Sequence, residues 1–395
     1  MKVIADTSRL VADGIITEAQ ALEIAARGRE AMVARAINTL LCLGILAATS
    51  GLILWLADAL AVAICGTLTL AGGLALLARG PESLRMFGNA AALIGAGMLM
   101  GGGAIELLGR HEDIAGLAMT GLGAAIAALS VWTGRRLGSL AGFVTGAILL
   151  MGLALHIGGL ALLLAQSDAE GLPVALFYLY AAAVLAGAGW LTDVRLVTAL
   201  AILPFAQALD TGTFYMHAAY VFVSPEPTLS ILQMAALIAG CLWVSTRADD
   251  RIARHAGILA LLGFVVANLC ALVGSLWGDV VGETIWGPGR YADYNDWDAY
   301  SAAQEAFRAQ ALTISEGVYS VLWALALVAM VAWAAHRHQR GLFNAAMTFG
   351  AIHAYTQLFE SFWDKPLAYV IAGLTAIPLA WGLMRLNRWM VARAA

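Results

Sequence analysis

The chain has 395 residues, of which 61% are hydrophobic and only 12% charged, with a formal net charge of −4. A water-soluble surface carries about twice that charged fraction, so a soluble enzyme or soluble binding module is excluded and the bilayer is the natural solvent. The Lys and Arg residues are scattered between apolar runs and form no basic patch, which leaves nucleic-acid binding without support.

The start, MKVIADTSRLVADGII, lacks a basic stretch followed by an apolar core and a small-residue cleavage site, so the first hydrophobic helix is expected to direct insertion. Residues 1–35 read as a cytoplasmic amphipathic segment of two short helices meeting at Asp13-Gly14. Thr17 and Gln20 have capping-box spacing, which predicts a helix from Glu18 to Arg29. The run LVADGIITEAQALEIAARG, leading into hydrophobic hairpins, resembles predicted bacterial multi-pass membrane proteins that share a domain of unknown function. That resemblance covers Ser8 to about Ala78 and thereafter rests on hydropathy; it implies an architecture and carries no activity, cofactor or site residue with it.

Residues 36–384 break at charged or Pro/Gly-rich points into about twelve apolar stretches of spanning length. They are Ala36–Leu56, Ala59–Ala78, Gly88–Leu108, Ile114–Thr133, Ser139–Ala165, Leu172–Leu191, Val194–Leu209, Leu229–Thr246, Ala256–Trp277, Thr313–Ala335, Leu342–Phe362 and Leu367–Met384. The fold class expected is therefore all-α, a polytopic transmembrane bundle with residues 385–395 as a tail. With both termini cytoplasmic, only Arg110, Arg290, Arg308 and Lys365 of the 22 basic residues fall outside, as the positive-inside rule requires of an inner-membrane protein. The hairpins recur near Ala36, Gly88 and Ser139, without a residue-level repeat behind the rhythm. Gly97 and Gly101 make a GxxxG pair, which predicts close packing of the third and fourth spans. Cys42, Cys65, Cys241 and Cys270 stand singly in apolar runs and read as packing residues.

Ionisable groups inside the membrane are the functional candidates. In the seventh span, short enough to be tilted, broken or re-entrant, Gln207 and Asp210 precede His217 in the following loop; a wetted loop is the alternative. In the tenth span Glu316 and Tyr319 share a face with Trp323, and in the eleventh His353, Gln357 and Glu360 form a polar stripe. If the hairpin brings the stripes together, Glu316, His353 and Glu360 form an outward-opening proton or cation site; an interhelical hydrogen-bond network is the alternative. His156, alone in the fifth span, reads as a satisfied packing histidine, and Glu106 as an interfacial carboxylate.

The longest external connection, residues 278–312, interleaves Asp293, Asp296 and Asp298 with Tyr291, Tyr294, Trp297 and Tyr300. Aromatics beside carboxylates can hold a cation, but Trp297 breaks the calcium-loop pattern. The segment reads foremost as an amphipathic stretch on the outer leaflet. No metal site, nucleotide loop or other cofactor motif is present. Three functions follow in order: a transporter-like or permeation role, a non-catalytic component that partners another membrane protein or a second copy, and an enzyme on lipid or lipid-linked sugar, for which external phosphate-binding residues are scarce. The bilayer itself is the one partner common to all three.

Overall fold

The computed structural model describes residues 7–28, isolated positions between 40 and 55, and residues 58–80, 85–137, 142–216, 219–289, 295–337, 339–362 and 364–394. The expected first span, Ala36–Leu56, lies almost wholly outside these residues, as do His217, Asp293 and Arg290. Among the described helices eight are long and apolar enough to cross a membrane, so the chain is an α-helical, multi-pass membrane protein. Its residues divide into two compact units, Met1–Ser167 and Asp168–Ala395, a boundary that the reading of residues 36–384 as one bundle does not include.

At the amino terminus α1 (Thr7–Ala12) ends in a turn where Gly14 has φ +69° and Ile15 N–H donates to Leu10 C=O. The next helix, α2 (residues 18–28), begins at the expected capping box. Thr17 N–H donates to Gln20 Oε1 at 2.9 Å, and Gln20 N–H donates to Thr17 Oγ1 at 3.3 Å. Thr17→Ala removes one acceptor from this exposed end. It is expected to cost about 1 kcal/mol of local helix stability, visible as lower helicity of a peptide spanning the segment.

The described part of the first unit holds two helical hairpins. One joins α3 (Ala59–Arg79) to α4 (Arg85–Arg110), the other α5 (Glu112–Leu137) to α6 (Gly142–Gln166). Asp58 caps α3 by accepting from Ala61 N–H, and Gln166 Nε2 donates to Glu112 C=O, tying the end of α6 to the start of α5. Both hairpins close on glycines spaced seven residues apart. A Cβ added to Gly66 would sit 2.7 Å from Met98 Cβ, to Gly73 2.8 Å from Ala92 Cα, to Gly95 2.6 Å from Leu70 Cα and to Gly102 2.7 Å from Ala59 O. In the second hairpin Gly116 faces Leu163, Gly123 faces the backbone of Gly152 and His156, and Gly159 faces Thr120. A seven-residue period is the seam of a left-handed coiled pair, and backbones this close gain dispersion contacts that lipid cannot supply. His156 takes its place in this seam: Nδ1 donates to Thr120 C=O at 2.9 Å.

The second unit is arranged around α11 (Asp250–Trp277), which packs against α7 (Leu172–Thr192), α8 (Arg195–Leu200), α10 (Pro227–Ser245) and α14 (Glu316–His336). The short seventh stretch is a broken helix. It consists of α8 and α9 (Ile202–Gln207), interrupted at Ala201 because Pro204 has no N–H to give to Leu200 C=O. Among the described residues two small antiparallel pairs supplement the helices. In one, β1 (Gly212–Met216) pairs with β2 (Ala219–Val223) from Gly212↔Val223 to Met216↔Ala219. In the other, β3 (Asp279–Val280) pairs with β4 (Thr313–Ile314), clamping the end of α11 beside the start of α14. Between them lie α12 (Glu283–Trp286) and α13 (Trp297–Arg308). The chain closes with α15 (Arg340–Phe362), hairpinned on α14, and α16 (Pro366–Ala394). The polar Asn344, His353 and Gln357 leave α15 less apolar than the eight candidate spans.

Candidate functional site

The two ends of the second unit differ in charge. One carries the Arg-rich turns. There α7 ends at Asp193 in the left-handed region with φ 53°, and the start of α11 delivers Arg251, Arg254 and His255 to it. His255 Nε2–H donates to Asp193 Oδ1 at 3.1 Å, and Thr198 Oγ1 lies 2.6 Å from the opposite ring nitrogen. Arg251 donates to the carbonyls of Trp190 and Leu191 and lies over the Trp190 ring, neutralising the end of α7. The order Asp, His, Thr has the look of a hydrolytic triad, but Thr198 is 1% exposed and no substrate carbonyl can approach its hydroxyl. The cluster fastens α7, α8 and α11 together.

The hydrogen bond from His255, with Arg251 and Arg254 beside it and against some desolvation, holds the Asp193 carboxyl below its ordinary value. A lowered carboxylate contributes stability that is complete above the ordinary Asp range and is lost as pH falls through the lowered value. Thermal midpoints of the wild type are therefore expected to fall as acidification passes down through and below the ordinary Asp range, and Asp193→Asn to flatten that limb.

The opposite end holds the candidate site, built where α10, α12 and α14 begin and α11 stops. Glu226 precedes Pro227, the first residue of α10, yet its carboxylate serves the neighbouring turn. Oε1 accepts from Gly282 N–H at 2.7 Å and Oε2 from Thr284 N–H at 3.1 Å, capping α12. Asp279, just before α12, does the reverse: Oδ2 accepts from Thr228 N–H of α10 at 3.0 Å and from the Tyr319 hydroxyl at 3.1 Å. Tyr319 also bonds the Thr228 hydroxyl. Glu226 and Asp279 are 4% and 6% exposed, and no described basic side chain pairs with either. Asp279 Oδ1 is buried without a hydrogen-bond partner among the described residues.

From this polar end a groove of about 450 Å³ runs between α10, α11 and α14. Thr228 and Tyr319 line its head, Asn268 and Trp323 its middle, and Leu327 and Met330 its apolar end. Tyr319 to Met330 is eleven residues of α14, or ~16 Å, about half the hydrocarbon thickness. In the middle, Trp323 Nε1 donates to Asn268 Oδ1 at 2.9 Å while Asn268 Nδ2 donates to Phe264 C=O at 2.8 Å, so both buried polar groups are satisfied. Beside the groove, Thr211, Ser224 and Ser230 form a buried hydroxyl triangle with bonds of 2.6 to 3.3 Å, fixing the β1–β2 hairpin to α10.

The expected site residues scatter over this frame. Tyr319 belongs to the groove. His353 meets it through Trp323, with ring centroids 4.7 Å apart and edge-on, while its Nδ1 is buried with no partner among the described residues. Glu316 and Glu360 are exposed and lie seven residues, or ~10 Å, beyond Trp323 and His353 on their helices; Gln357 is half-buried between. No hydrogen bond or ion pair among the described residues joins Glu316, His353 and Glu360. Gln207 ends α9 with Oε1 against Gly212, and Asp210 occupies a left-handed turn at φ 55° in the solvent. Asp296 caps α13, accepting from Ala299 N–H at 2.8 Å, with Asp298 exposed in its first turn and the Trp297 ring beside Tyr300. Glu106 is paired with Arg110 at 3.0 Å.

Glu226, Asp279, Thr228 and Asn268 are the site residues that the sequence reading misses. Pro227 after Glu226 marks a helix start, and the runs TFYM and AYVFV on either side of a two-residue gap signal a hairpin. Read together, they would have placed Glu226 at a structured corner. Comparison with family models, with curated proteins and with solved structures finds no match for this chain in any of the three.

Proposed function

We propose that this multi-pass protein is a transporter-like carrier of the bacterial inner membrane, with both termini cytoplasmic, that takes an amphipathic single-chain molecule into the groove between α10, α11 and α14. The observation that carries the reading is the groove's gradient: the hydroxyl-bearing Thr228 and Tyr319 where the helices begin, both bonded to the buried Asp279 carboxylate outside the lining, and apolar side chains at the end toward the membrane middle. Its volume lies in the range of small-molecule sites. The basic turns at the far end of the unit support the orientation through the positive-inside rule. The amino-terminal segment supports placement with the bacterial proteins of unknown function that it resembles.

Ala326 lines the groove and faces outward enough to accept a larger side chain without disturbing the core. With a photoactivatable acyl-chain probe in vesicles, the groove peptide 319–330 is expected to be labelled in the wild type and roughly tenfold less in Ala326→Trp. Labelling of that peptide no stronger than that of the exposed face of α10 would sink the proposal.

A further inference from the structure

We infer that the head of the molecule taken into this groove is cationic, a quaternary or protonated amine on an apolar chain. The inference rests on the groove being a ligand site and names the class of ligand. Thr228 and Tyr319 line the head of the groove, and both bond Asp279 Oδ2 directly behind them. That carboxylate has one oxygen engaged and the other, Oδ1, buried with no partner among the described residues. Glu226 lies buried at the same corner, two residues before Thr228, and Glu316 lies three residues before Tyr319. Among the described residues none of the three has a basic partner.

A buried carboxylate without a counter-ion is costly in a low-dielectric interior. The helix start at Thr228 and the Tyr319 hydroxyl offset part of that cost and leave Oδ1 unmatched. A cation held at the groove head against Thr228 and Tyr319 would sit one hydrogen bond away from that carboxylate and offset its charge. Tyr319 and Trp323 line the groove as well, and aromatic rings attract cations, a second preference of the same sign. An anionic head would be repelled by the Asp279 carboxylate behind Thr228 and Tyr319, and no basic side chain lines the groove among the described residues. A neutral head could use the hydroxyls but would leave the charge unmatched.

The test uses the full chain in phosphatidylcholine vesicles and three photoactivatable probes that share one acyl chain and differ in the head: trimethylammonium, carboxylate or glycerol. Labelling of the groove peptide is read by mass spectrometry against labelling of the lipid-facing side of α10. The trimethylammonium probe is expected to label the groove about tenfold more than the carboxylate probe, a discrimination of one charge contact. Asp279→Asn, which keeps an acceptor for Thr228 and Tyr319, is expected to reduce the trimethylammonium probe to the level of the glycerol probe. Ala326→Trp is expected to remove all three. Equal labelling by the three heads, or preference for the carboxylate, overturns the cationic assignment while the groove stands. A preference that survives Asp279→Asn overturns the part given to that residue. Absence of groove labelling by every probe overturns the groove as a ligand site, and with it the function proposed above.

Discussion

Glu226→Ala is expected to lower the stability of the purified protein by about 3 kcal/mol, because one buried and one part-buried N–H group lose their acceptor at once and each unsatisfied group costs about 1–3 kcal/mol. The donors are Gly282 and Thr284. Gly282 sits at φ +91°, a left-handed conformation held in register by the carboxylate. Glu226→Gln keeps one oxygen acceptor and turns the other position into a donor facing Thr284 or Gly282, so it should fall between wild type and Ala. The loss is expected to be local first: hydrogen exchange at 279–286 and proteolysis in 287–300 should rise before the helices unfold. Unchanged exchange in this segment, with the midpoint of unfolding also unchanged, would show that the crossed caps are not what holds the corner together.

The same corner shows what the amino-acid order reveals and what it withholds. Glu226 and Asp279 stand 53 positions apart, and nothing local to either says that each caps the other's helix. An N-cap acidic residue normally serves its own first turn, and here the service is exchanged. The polar stripes of α14 and α15 are legible because helical period alone places Glu316, Tyr319 and Trp323 on one face and His353, Gln357 and Glu360 on another. What period cannot supply is depth. The structure sets Trp323 against His353 and leaves the two glutamates ~10 Å farther along, in exposed positions. Asn268 was hidden for a different reason: a single amide in an apolar helix reads as noise until the Trp323 indole is placed beside it.

Helix placement, by contrast, is largely a matter of hydropathy, and the described spans start and stop within a few residues of the charged and Pro/Gly breaks. The capping box at Thr17 and the break in the seventh stretch follow from chemistry confined to a few neighbouring residues. The two strand pairs escape a reading tuned to long apolar runs because they are short and lie at helix ends, where backbone groups that leave the helix need partners of their own.

Glycine packing is legible at a different spacing from the one first noticed. The GxxxG pair Gly97 and Gly101 draws the eye, but the close approaches of α3 and α4 fall on Gly66, Gly73, Gly95 and Gly102, in steps of seven. The α5–α6 hairpin repeats the step with Gly116 and Gly123 against Gly152 and Gly159. Gly95→Leu is therefore expected to be among the most damaging single changes in the first unit. Its Cβ would press on Leu70 Cα at 2.6 Å and Gly66 O at 2.7 Å, both backbone atoms that no rotamer change can move. Overpacking of this kind costs roughly 3 kcal/mol or more, and in a membrane the hairpin has no hydrophobic drive to hold it closed once its backbones are forced apart. Gly103→Ala is the matched control, since its added Cβ meets nothing within 4 Å and Ala favours the helix by up to about 1 kcal/mol. The two variants, compared by thermal unfolding in the same detergent and by disulfide trapping between cysteines placed at Thr69 and Ala96, should diverge: trapping falls for Gly95→Leu and is retained for Gly103→Ala. Equal trapping in both would mean that the seam is not set by Gly95.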